Sequence, residues 1–110
     1  MITVSFRTEG DRITGFRVEG HSGLAEEGSD ILCAAVTGAV RLVETTINDV
    51  LGLEAAVKVK EENAEITLRL PGSLGQTNES TCQALLTGMM VHLTELHEEY
   101  PENILVVEEE

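Results

Sequence analysis

The sequence predicts an α+β fold, a mostly antiparallel sheet with two packed helices in the order ββαββαβ. Three observations carry this prediction. Apolar and polar residues alternate in two pairs of adjacent stretches, two longer stretches repeat apolar residues every three or four positions, and a short apolar run follows a late proline.

Ile2, Val4 and Phe6 alternate with Thr3, Ser5 and Arg7. After Gly10-Asp11 the stretch Arg12 to Glu19 carries Phe16 and Val18 on one face, which completes a hairpin. From about Ser29 to Leu51 the spacing becomes helical, through Ile31, Ala35, Val36, Ala39, Leu42, Val43, Thr46, Ile47 and Val50, and Gly52 stands where a helix stops. A second hairpin follows: Val57 and Val59 alternate with Lys58 and Lys60, then Ile66, Leu68 and Leu70 with Glu65, Thr67 and Arg69, across a turn at Glu61-Glu62-Asn63. Pro71-Gly72 breaks it. The second helix runs from about Gln76 to Glu99 on a stripe of Cys82, Leu85, Leu86, Met89, Leu93 and Leu96 and ends before Pro101; Ile104 to Val107 suits a last strand. The small residues Ala34, Ala35, Thr37, Gly38 and Ala39 let something approach the first helix closely. Packing on the sheet fits that, and so does a twofold dimer contact.

The length of 110 residues and 42% hydrophobic content suit one globular domain, 1-110. Twenty acidic residues against seven basic ones give a formal charge of −13, which repels phosphate backbones and disfavours direct nucleic-acid binding. A basic protein partner fits this charge, as does plain solubility. No run reaches the roughly 18 consecutive apolar residues that span a bilayer, and the alternating start is unlike an export leader. The chain is therefore expected in the cytoplasm, with no membrane partner. There Cys33 and Cys82 read as thiols instead of a bridge, and neither lies in a CxxC pair that would support zinc.

One segment, Gly20 to Ala35, does not serve the fold: it has three glycines and little apolar surface before the helix, so it reads as a mobile loop. His21 stands at its near end. Cys33 stands twelve positions later in the first turn of a helix capped by Ser29 or Asp30. A thiol attacks as thiolate, which a helix N-terminus and a neighbouring imidazolium both favour. Backbone N–H groups that lack intrahelical partners there can hold an oxyanion. Spacing alone fits core packing of Cys33 better, since cysteine is among the most buried residues. Cys82, with no nearby histidine or glycine loop, reads as core. His92 and His97 are five positions apart, which leaves their rings roughly 140° apart on a helix where a shared metal needs a spacing of four, so no metal is expected. His97 suits the helix C-terminus, and His92 an amphipathic boundary.

Gly20-His21, a short glycine-containing loop, and Gly-x-Asp-Ile-x-Cys-Ala-Ala at Gly28 to Ala35 resemble the ribosomal-processing cysteine proteases called Prp, as does the order of elements. The resemblance implies a cysteine endopeptidase that removes the N-terminal extension of a large-subunit ribosomal protein precursor, after an aromatic residue in an apolar stretch that precedes a basic segment. It implies a homodimer and no cofactor. His21 matches the family's catalytic histidine and Cys33 its nucleophile. Asp30 matches an acidic position that orients loop or substrate, a role that competes with helix capping, and Thr37 stands where the family has serine. Two other readings stay open: a non-catalytic acidic adaptor that binds a basic ribosomal protein, and a thiol redox sensor built on Cys33 and Cys82.

Overall fold

The computed structural model describes residues 1–21, 23 and 30–110. Strands β1 (Ile2–Glu9) and β2 (Arg12–Glu19) pair antiparallel around Gly10-Asp11. Gly10 has φ of 61°, the left-handed value that tight hairpin turns require and side chains resist. Arg7 faces Gly15 while Thr8 faces Ile13, so Thr14 is an extra residue that bulges β2. Its hydroxyl donates to the Arg7 carbonyl at 3.3 Å and its carbonyl accepts from the Leu70 N–H at 2.8 Å.

Helix α1 (Ile31–Glu44) follows, and its last part widens into a π-helical turn at Thr45–Val50, where the Leu51 N–H reaches the Thr46 carbonyl. Apolar spacing does not distinguish the two kinds of turn. The Asn48 amide closes this end, accepting from the Ala55 N–H at 2.7 Å and donating to the Ala55 carbonyl at 3.1 Å. Strands β3 (Ala56–Lys60) and β4 (Glu65–Arg69) form the second hairpin across a 3₁₀ turn at Glu61–Asn63, and helix α2 (Gln76–Glu99) leads to β5 (Ile104–Glu109).

The five strands make one sheet in the order β3-β4-β2-β1-β5. All neighbours are antiparallel except β1 and β5, which run parallel, so the sheet is mixed. The alternation seen in the sequence becomes a two-layer core. Ile2, Val4, Phe6, Phe16, Val18, Leu68 and Ile104 face Leu32, Val36, Val40, Val43 and Ile47 of the first helical segment and Cys82, Leu86, Met89 and Leu93 of α2. Cys82 is 0% exposed, as its core reading expects. Gln83 clamps α2 to β2, its amide exchanging hydrogen bonds of 2.8 Å with the Ile13 N–H and carbonyl. Arg12 adds a 2.7 Å ion pair to Glu79.

By length and composition the segment Ile31–Val50 is apolar enough to cross a membrane, a property that a search for unbroken apolar runs misses. Here its stripe from Leu32 to Ile47 packs against the sheet.

Candidate active site

A groove of about 920 Å³ opens where the end of β2 meets the start of α1. All four site residues expected from the sequence, His21, Asp30, Cys33 and Thr37, line it. Its floor is apolar, with Ile2, Val18, Val36, Val40 and Ile66.

Gly20 sets the position of His21. With φ of 91°, Gly20 donates its N–H to the Ala64 carbonyl at 3.2 Å, and a Cβ there would collide with the Met1 carbonyl oxygen. Backbone strain and a steric collision coincide, so Gly20→Ala is expected to cost about 2 kcal/mol or more. Urea unfolding checks this through a lower midpoint at unchanged slope; an unchanged midpoint contradicts the wedge between Met1 and Ala64.

The opposite wall is α1. Asp30, only 6% exposed, is its N-cap, and one carboxylate oxygen accepts from the N–H groups of Leu32 and Cys33, each at 3.0 Å. This decides between Ser29 and Asp30 as the cap, and it gives the Cys33 N–H, expected to lack an intrahelical partner, a side-chain acceptor instead. Capping and oxyanion binding compete for the same donors, so stabilising an oxyanion with them requires the cap bonds to open. Cys33 is partly buried and neither cysteine is in a disulfide. Of the segment Gly20 to Ala35 that reads as a mobile loop, residues 22 and 24–29 lie outside the described residues.

Sequence reasoning stopped at Thr37, yet Arg41 and Glu44 also line the groove. Their positions follow from spacing: 33, 37, 41 and 44 fall on one face of a helix. The far wall, Val59 to Ile66, comes from the second hairpin and had no local signal. Val59, on edge strand β3, is 63% exposed and borders the groove. The groove thus has a charged rim around an apolar floor, with a thiol and an imidazole on its walls. Nucleophilic catalysis by cysteine uses these two kinds of group.

The redox-sensor reading fits the geometry poorly. Cys82 lies near Arg12 at the start of β2, whereas Cys33 shares the groove with Val18 near its end. Six strand residues separate those places by about 20 Å, and a disulfide needs Cα atoms within about 7 Å. His97 donates a 2.6 Å hydrogen bond from Nδ1 to the Ile104 carbonyl, which ties α2 to β5, and His92 is exposed.

Comparison with known proteins shows the family. A family model described as cysteine protease Prp matches residues 1–105. The ribosomal processing cysteine protease Prp of Bacillus subtilis is 30% identical over 107 residues, covering 96% of each chain. The protein of the same name from Staphylococcus aureus is 30% identical over 108 residues, covering 94% of this chain and 95% of its own. The crystal structure of the Staphylococcus aureus protease with a covalently linked product peptide superposes with a TM-score of 0.82 at 26% identity, over 99% of this chain and all of that one. A Streptococcus mutans protein, SMU.848, shares the fold at TM-score 0.81 and 20% identity, over 98% of this chain and 93% of its own. The family model and these relatives define a cysteine protease. The chain belongs to the Prp family of cysteine proteases.

Proposed function

We propose that this protein is a cytoplasmic endopeptidase, one protease domain over 1-110, that removes the N-terminal extension of a large-subunit ribosomal protein precursor without a cofactor. The observation that supports this most is that His21 and Cys33 line one groove, in a family whose relatives are named as ribosomal processing proteases. In this reading His21 accepts the Cys33 proton and the thiolate attacks the scissile carbonyl. His21 then protonates the leaving amine, and water activated by the same imidazole hydrolyses the thioester. Asp30 is a positioning residue that holds the first turn of α1 around Cys33, and the Thr37 hydroxyl borders the bound peptide.

The test is incubation with a peptide of the ribosomal extension, read by mass spectrometry. Wild type is expected to cut at one bond and Cys33→Ala not at all. A wild type that binds the peptide without cutting it supports the acidic adaptor instead.

The family resemblance also implies a homodimer, and one surface suits it. A hollow of about 440 Å³ between α1 and α2 is lined by Ala35, Gly38, Leu42, Leu85 and Gly88, and Leu42 is 65% exposed. Small residues there allow close approach across a twofold axis. Sedimentation is expected to give a dimer for wild type and a monomer for Leu42→Glu; a monomeric wild type contradicts this.

A further inference from the structure

The chain carries only seven Lys and Arg residues against twenty carboxylates, yet its cations are not spread out. Five of the seven, Arg7, Arg17, Lys58, Lys60 and Arg69, line one hollow of about 300 Å³ on the face of the sheet away from the helices. Strand register places them there. Arg7 pairs through Gly15 to Arg69, and Ser5 through Arg17 and Thr67 to Lys58, along two adjacent rows across the strands.

The carboxylates on this face do not neutralise it. Glu19, Glu65 and Glu109 all share Arg17, at 3.8 to 3.9 Å, and Glu65 also meets Lys60 at 3.9 Å. Arg7, Lys58 and Arg69 form no ion pair with a described residue and are exposed. The hydroxyls of Ser5 and Thr67 border the same hollow. Both phenylalanine rings, Phe6 and Phe16, belong to the core.

We propose that this open sheet face binds the phosphate backbone of RNA and docks the protease on a ribonucleoprotein substrate. The choice of RNA as the polyanion rests on the ribosomal reading above; the cationic face does not. Phe16, Leu68, Glu65 and Glu109 also line the hollow, but five cations stand there with the Ser5 and Thr67 hydroxyls, and guanidinium, ammonium and hydroxyl donors are the chemistry of phosphate contacts. Protein interfaces have the opposite composition, with aromatic centres depleted of charge. The total of −13 does not exclude this, because at physiological ionic strength charges act over about 8 Å, so a phosphate on this face is governed by the local cations. Guanidinium groups suit phosphate by bidentate hydrogen bonding.

The test is fluorescence anisotropy of a labelled RNA hairpin with wild type and the triple variant Arg7→Ser/Lys58→Ser/Arg69→Ser. Wild type is expected to bind saturably at 50 mM salt, and three phosphate contacts give a log–log salt slope of about −2 to −3. The triple variant should bind at least about tenfold more weakly with a slope near zero, while cutting the extension peptide as wild type does. Should the triple variant not fold, Arg69→Glu is expected to weaken binding and Arg69→Lys to retain it. Absence of binding at low salt, or binding indifferent to these substitutions, overturns the proposal. Displacement of the RNA by polyglutamate at equal affinity also overturns it and assigns the face to an acidic protein. RNA binding without peptide cleavage sinks only the protease reading, and cleavage without RNA binding sinks only this one.

Discussion

Cys33→Ala will lower kcat/KM for the extension peptide by at least about 10⁴-fold, the scale seen when a nucleophile is removed and only binding and electrostatics remain. The protein should still bind the peptide, because the apolar floor of Ile2, Val18, Val36, Val40 and Ile66 is untouched. His21→Ala is expected to fall by about 10²- to 10⁴-fold, the range for a lost general base. Cys82→Ala provides the contrast: its sulfur lies in the core beside α2, so the variant should lose some stability and keep its rate. Progress curves for the three variants against one peptide check all of this, and cleavage by Cys33→Ala at the wild-type rate would remove Cys33 from the chemistry.

Asp30→Ala should be the next most damaging change, through position and not through contact with the reacting atoms. The carboxylate satisfies two N–H groups at the mouth of α1, one of them belonging to Cys33. Losing an N-cap costs about 1 kcal/mol, and N–H groups left without acceptors in a buried setting cost a further 1 to 3 kcal/mol, so about 2 kcal/mol of stability is expected to go. A frayed first turn displaces Cys33, and misplacement on the scale of 1 Å costs on the order of 10²-fold in rate. The signature is a fall in kcat at nearly constant KM, with recovery in Asp30→Asn or Asp30→Ser, which keep an acceptor oxygen. A fall confined to KM would mean that Asp30 contacts the substrate instead.

Much of the fold was legible because burial on one face imposes a period. The alternation of Ile2, Val4 and Phe6, and of Ile66 and Leu68, marked strands whose inward sides make the core, and Pro71-Gly72 and Pro101 marked where elements stop. The parallel pairing of β5 with β1 was not legible, since no local feature of Ile104 to Val107 says which strand it joins. The π-helical turn escaped for a related reason: an extra residue per turn barely changes the apolar stripe around Ile47.

The site divides in the same way. His21 and Cys33 could be named from the resemblance and from a glycine loop ending at a helix, and the groove brings them onto its walls. Arg41 and Glu44 were readable by extending the stripe from Cys33 through Thr37, whereas the wall from Val59 to Ile66 depends on how a distant hairpin packs. The sequence left the cap open between Ser29 and Asp30, and it did not show the consequence that a carboxylate capping the helix takes the N–H groups an oxyanion would use. Net charge hid most. The value of −13 averages over the molecule, while the strand period already set Arg7, Arg17, Lys58 and Arg69 opposite the apolar faces.

Iodoacetamide labelling near pH 7, followed by peptide mass mapping, tests His21-dependent reactivity of Cys33 most directly. Cys33 should be alkylated far faster than Cys82, which is 0% exposed and whose thiol pKa burial pushes above its ordinary value. His21→Ala should slow labelling of Cys33 and leave Cys82 unchanged. Equal, slow labelling of both sulfurs, or a Cys33 rate that ignores the loss of His21, would contradict a nucleophile activated by that imidazole.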